Sequence, residues 1–95
     1  MYFIGLPKRF IGATIFDPEA DEVIIGAHVS IINASTKKEI SAKTDEFGDF
    51  WVDGLSPDIY TVVIEKTGYT EKRLDVDCSY DDINLGDIPM SRNDV

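Results

Sequence analysis

Apolar and polar residues alternate along most of this chain, and turn-forming residues interrupt the alternation every eight to twelve positions. No other feature narrows the possible folds so far. A strand presents successive side chains to opposite faces, so period two signals a strand, whereas a helix needs apolar residues three and four apart. Tyr60–Lys66 (YTVVIEK) shows it most clearly, with Tyr60, Val62 and Ile64 on one side and Thr61, Val63 and Glu65 on the other. Ala27–Asn33 sets Ala27, Val29 and Ile31 against His28, Ser30 and Ile32. Gly48–Asp53 sets Phe50 and Val52 against Asp49, Trp51 and Asp53. Phe10–Phe16, Ile40–Thr44, Glu71–Val76 and Ile83–Ile88 complete the strands. The segments between them, Asp17–Glu22, Ser35–Glu39, Asp45–Gly48, Leu55–Asp58, Thr67–Tyr69 and Cys78–Asp82, are rich in Gly, Pro, Asp, Ser and Thr, the residues of turns.

Short strands at this spacing predict an all-β fold, a seven-stranded antiparallel β-sandwich. Its expected core joins Ile11, Ala13, Ile15, Val29, Ile31, Phe50, Val52, Leu55, Tyr60, Val62, Ile64, Leu74 and Leu85, and Ser91–Val95 is expected to fray. Ninety-five residues, 43% of them hydrophobic, suffice for one such core, so 1–95 reads as a single domain with its folded part at about 8–89. The start MYFIGLP lacks the charged region and long apolar stretch of a signal peptide, and reads as the edge of a domain cut from a longer chain.

Eighteen acids against nine bases give a net charge of -9, and the bases reach no cluster larger than a pair. Nucleic acid and anionic membrane surfaces are bound through clustered Lys and Arg, so neither is an expected partner. The apolar run Val23–Ala27 is too short to span a bilayer. Cys78 is alone, which excludes an internal disulfide and a cysteine zinc site and leaves a buried or half-buried thiol. That usage fits the cytoplasm better than the periplasm. His28 is also alone, which excludes His-rich metal triads.

The stretch richest in chemistry is TDEFGDFWVDGL, Thr44–Leu55. Asp45, Asp49 and Asp53 lie four apart, without the alternating ligands and late Glu of an EF-hand loop. Turn chemistry explains them more simply: Asp45 accepts backbone amides of its own turn and Gly48 supplies a positive φ. A calcium site shared with Asp17–Glu22 is the alternative. No nucleophile stands beside a base, and the pairs Asp45/Glu46 and Asp81/Asp82 fall on turns, so no catalytic residue, cofactor site or metal site is assigned. What turn chemistry leaves over is Trp51. With Val63, Ile32 and His28 it points away from the expected core, and on neighbouring strands these residues would form an apolar interface that Phe16, Phe10 and Tyr2 extend. Isolated exposed apolar residues are the plainer explanation. Sheet edges offer a second mode of contact, by strand addition.

Six pieces form one spaced series: IGATIFD (Ile11–Asp17), GAHVSI (Gly26–Ile31), TDEFGDF (Thr44–Phe50), GL (Gly54–Leu55), YTVVI (Tyr60–Ile64) and GY (Gly68–Tyr69). Over residues 9–70 the chain resembles the carboxypeptidase regulatory-like domain. Ala13 departs from that pattern where Gly is usual, and Asp58-Ile59 where a Pro-Gly turn is. The resemblance implies a transthyretin-like (prealbumin-like) Greek key in which Gly68 turns the chain and the Tyr69 ring covers the end of the core, its hydroxyl reaching a backbone partner. Collagen-adhesin B-type domains share this sandwich and join a Lys to an Asn beside a buried acid. Here Glu65 and Asn84 fall near strands, but Lys8 stands only at the start of the first, so solvated side chains are expected.

LPKRF (Leu6–Phe10), the insertion DPEADEVIIG (Asp17–Gly26), FGDFW (Phe47–Trp51) and NLGDIP (Asn84–Pro89) are similar to the domain appended C-terminally to iron–sulfur electron-transfer subunits that partner molybdopterin oxidoreductases. That resemblance implies a non-catalytic accessory domain that packs on other domains of its chain or on a molybdopterin catalytic subunit. The clusters would lie elsewhere in the parent chain, because one cysteine cannot ligate one. Two other roles fit the same module: a carbohydrate- or protein-binding sandwich with Trp51 and its acids as the platform, and a regulatory domain of a peptidase.

Overall fold

Strand β1 (Arg9–Asp17) is hydrogen-bonded along both of its edges, and this makes it the spine of the first sheet. The computed structural model describes residues 9–93; the expectations for Tyr2, Lys8 and Leu6–Pro7 lie outside them. Along one edge of β1 run β5 (Asp49–Leu55) and the two-residue β2 (Glu22–Val23), both antiparallel to it. Along the other runs β8 (Ile83–Pro89), parallel to β1. The second sheet has the order β4-β3-β6-β7, built from β3 (His28–Asn33), β4 (Glu39–Lys43), β6 (Ile59–Glu65) and β7 (Lys72–Asp77), all antiparallel.

The all-β sandwich is thus present with eight strands rather than seven, and one pair is parallel. The added strand is β2, inside a segment whose acids and proline read as turn alone. Two residues are too few to show alternation, and their pairing to Phe16 and Asp17 depends on the neighbouring strand.

The core lies between the sheets. Ile11, Ala13 and Ile15 of β1 and Phe50 and Val52 of β5 meet Val29 and Ile31 of β3 and Tyr60, Val62 and Ile64 of β6. Burying an aliphatic side chain of this size contributes ~1.5–3 kcal/mol. Ile24, Ala27, Val76, Cys78, Ile88 and Met90 join the core, while Leu74 and Leu85, expected inside, are only half-buried against it. The cause in β8 is a bulge at Gly86. Its φ is +70° and the register to β1 shifts between Gly12 and Thr14, so the inward set steps from Ile83 and Leu85 to Ile88 and Met90. Thr44, also buried, fastens the loop after β2: its hydroxyl donates to the Ile24 carbonyl (2.7 Å) and accepts the Ala27 amide (2.8 Å).

The tail is held where fraying was expected. The Thr70 amide donates to the Ser91 carbonyl (2.8 Å), the Asn93 amide donates to the Gly68 carbonyl (2.9 Å), and Arg92 forms a bridge with Tyr69. Residues 94 and 95 lie outside those described.

Gly48 sits at the most crowded joint. Ile15 donates its amide to the Gly48 carbonyl and accepts the Ile24 amide on the same edge, so β5 begins where β2 ends. A Cβ on Gly48 would stand 2.7 Å from the Ile15 carbonyl oxygen and 2.7 Å from Val23 Cβ, and φ is +76°. Gly54 has a similar φ of +71° with nothing within 4 Å of a Cβ. Gly48→Ala is therefore expected to cost about 2–4 kcal/mol, from backbone strain and overlap together. Gly54→Ala should cost about 1 kcal/mol, from strain alone. Urea unfolding midpoints at unchanged m-value separate the two.

Candidate functional site

Trp51 lies on the outer face of the first sheet, directly opposite Gly12 of β1. A β-carbon at Gly12 would approach the indole to 3.0 Å, so the absence of a side chain is what lets the ring lie against the strand. Phe10, one step along the same face of β1, stacks on the indole with centroids 4.0 Å apart and planes 17° apart. The ring is thus held on its own sheet, yet Trp51 stays 59% exposed. Asp49 and Asp53 flank it on β5, and the Thr14 hydroxyl donates to Asp49. Asp82 Oδ1 accepts the Phe10 amide at 3.1 Å. Phe16 lies further along β1 and is half-buried, paired with Val23 of β2 on one side and Pro89 of β8 on the other.

The other expected interface residues lie elsewhere. His28 and Ile32 of β3 and Val63 of β6 belong to the second sheet, whose outer face looks away from Trp51 across the core. One patch joining all five residues therefore does not exist. His28 and Ile32 are half-buried, and Val63 is only 4% exposed. Its strand is central in the sheet, and Val63 lies between Ser30 on β3 and Arg73 on β7, so its neighbours shade it.

Asp45 Oδ1 accepts the amides of Phe47 (2.9 Å) and Asp49 (3.0 Å), which closes the turn between β4 and β5. Among the described residues no group of three or more His, Cys, Asp or Glu is placed to hold a metal ion. Glu65 and Asn84 are exposed on outer faces of opposite sheets, so they cannot meet in a crosslink.

The residue whose role sequence reading missed is Asp17, taken as the start of a turn, as the end of the family series and as part of an alternative calcium loop, with no partner assigned to it. It is buried at 1% exposure. Its Oδ1 accepts the amides of Glu19 (2.9 Å) and Ala20 (3.1 Å); its Oδ2 accepts the Tyr69 hydroxyl (2.7 Å) and the Arg92 Nε–H (2.8 Å). Tyr69 thus reaches a carboxylate rather than the backbone partner expected for it. Its ring packs half-buried on the core, after a turn in which Gly68 takes φ +90°. The hydroxyl of Tyr69 first, then Arg92 and the two amides, outweigh burial and hold the Asp17 carboxyl down at about 2. Their own hydrogen bonds to Asp17 raise the Tyr69 phenol and the Arg92 guanidinium above their ordinary values. Burial, as the largest cause, raises the Cys78 thiol, so this cysteine is held as an unreactive thiol of the core. The signal available in sequence was the pairing of an acid at the end of β1 with a tyrosine after a Gly turn.

A carboxyl held at about 2 when folded and near 3.8 otherwise stabilises the fold fully above pH 3.8, and the contribution is lost as pH falls toward 2. Stability measured by denaturant unfolding should drop across that window. Asp17→Asn should be less stable at neutral pH and show a flatter acid limb. Tyr69→Phe should cost about 1–2 kcal/mol at pH 7, the lower end for a bond to a charged acceptor because the tyrosine is half-exposed.

Comparisons with known proteins agree on the fold. Residues 11–90 match the family described as the carboxypeptidase regulatory-like domain. No curated protein sequence matches the chain. Among solved structures it is similar to the shaft pilin SpaA of Lactobacillus rhamnosus GG, with TM-score 0.69, 16% identity, 93% of this chain covered and 49% of that one. It is similar to BcpA, the major pilin subunit of Bacillus cereus, with TM-score 0.71, 16% identity, 88% of this chain covered and 30% of that one. Against the C-terminal domain of SpaA alone the TM-score is 0.67 at 17% identity, with 92% of this chain and 99% of that domain covered. The chain thus spans about half the length or less of these pilins, 49% and 30%, and the whole of one SpaA domain.

Proposed function

The chain belongs to the carboxypeptidase regulatory-like domain family, and from that premise we propose that it is a non-catalytic accessory module which packs against another domain or subunit through the outer face of its first sheet. The observation that carries this reading is Trp51, 59% exposed yet fixed by Phe10 and by the bare backbone of Gly12. Held rigid beforehand, an aromatic side chain loses little entropy on being covered, which suits it as an interface anchor. Half-buried Phe16 and exposed Val23 continue the same face. That domains of this fold occur in shaft pilins supports a structural part for the sandwich.

The finer form of the proposal names the parent. The runs Leu6–Phe10, Asp17–Gly26, Phe47–Trp51 and Asn84–Pro89 resemble the domain appended to iron–sulfur subunits of molybdopterin oxidoreductases, the β subunit of pyrogallol–phloroglucinol transhydroxylase being the example. A full-length protein carrying this domain should then contain iron and acid-labile sulfide, and a colourless one sinks the finer form while leaving the packing role.

Hydroxyl-radical footprinting tests the packing role. Oxidation of Trp51 should fall several-fold between the isolated chain and the full-length protein or its complex, while Tyr80, 82% exposed, serves as the control. Equal oxidation of Trp51 in both states contradicts the proposal.

A further inference from the structure

The groove beside Trp51 has a chemistry that specifies its occupant. Its volume is about 380 Å3, and its lining includes Gly12, Thr14, Asp45, Asp49, Trp51 and Asn84. Phe10, which covers the indole from one side, does not line it, and among the described residues neither does any Lys, Arg or His. A second groove of about 520 Å3 lies on the Phe10 side, and its lining includes Arg9 as well as Asp53 and Asp82. The acids on that side therefore have a cation of their own chain nearby. Among the described residues, Asp45 and Asp49 line their groove without one. The Thr14 hydroxyl bonds Asp49, and backbone amides bond one oxygen of Asp45, so both carboxylates are held in place by neutral donors that leave the negative charge uncompensated.

We propose that this groove receives an arginine side chain from the segment of the partner polypeptide that packs on the first sheet. A guanidinium is planar, stacks on an indole face and gives paired hydrogen bonds to a carboxylate, so one side chain satisfies both walls of the groove. The chain's net charge of -9 attracts such a segment at long range. The inference rests on the packing role given above and specifies the partner's chemistry at that face.

The test follows the Trp51 indole N–H and the Asp49 amide by NMR. The probes are the peptide acetyl-Gly-Arg-Gly-amide and its citrulline counterpart, which keeps the shape and lacks the charge. Saturable shifts at both positions are expected with the arginine peptide only, weakened several-fold by about a tenfold rise in ionic strength. Asp49→Asn should weaken binding several-fold, and Glu39→Gln, exposed on β4 of the second sheet, should leave it unchanged. Equal shifts with both peptides, or binding indifferent to Asp49→Asn, overturn the proposal. If footprinting shows Trp51 protected in the full-length protein while the arginine peptide does not bind, the packing role stands and the arginine is refuted. If the peptide binds and Trp51 stays unprotected, the groove binds arginine and the packing role fails.

Discussion

A buried carboxylate has to be surrounded by donors or it will not stay ionised inside a protein, and the donors that surround Asp17 come from three separate segments of the chain. Its own turn gives the Glu19 and Ala20 amides, the loop after β6 gives the Tyr69 hydroxyl, and the tail after β8 gives Arg92. Asp17 closes β1, the strand on which β2, β5 and β8 all assemble. The charge therefore fixes how the end of the first sheet meets the chain that leaves the second. Hydrogen bonds from Thr70 to Ser91 and from Asn93 to Gly68 then continue the attachment into a tail that composition alone describes as loose.

The Trp51 face rests on a different constraint. Gly12 carries no side chain, Phe10 stands one step along β1, and together they give the indole a seat on the sheet without burying it. Trp51 thus has partners enough to fix its position and too few to make it core. Asp49, held by Thr14, lies on the same strand and face, so the exposed aromatic and the exposed charge share one groove. The two sites built on β1 consequently differ in kind: Asp17 has its charge satisfied internally, and the Trp51 face leaves charge and apolar surface for something else.

Strand identity was legible because period two is written in consecutive residues. Tyr60–Ile64 could be assigned inward and outward faces from the sequence, and the buried positions Tyr60, Val62 and Ile64 follow it. Ile88 and Met90 were not legible, because the bulge at Gly86 reverses the phase of β8 part-way along. Sheet membership was not legible either. Trp51 and Val63 look alike in a pattern of alternation, but which strands share a sheet depends on long-range pairing, and that pairing sets them on opposite sides of the core. Asp17 was hidden for a related reason. An acid before a proline reads as a turn, and only the fold brings Tyr69 and Arg92 to it from 52 and 75 residues away.

The central claim is that Asp17 holds the structure together while Trp51 is kept for contact. Residue-resolved hydrogen exchange on the chain with Asp17→Asn and, separately, Trp51→Ser tests both halves in one experiment. Asp17→Asn should release the amides of Thr70 and Asn93, which bond the tail, while Trp51→Ser should leave the protection of every strand unchanged. Tail amides that stay protected in Asp17→Asn, or strands of the first sheet that lose protection in Trp51→Ser, would contradict the account.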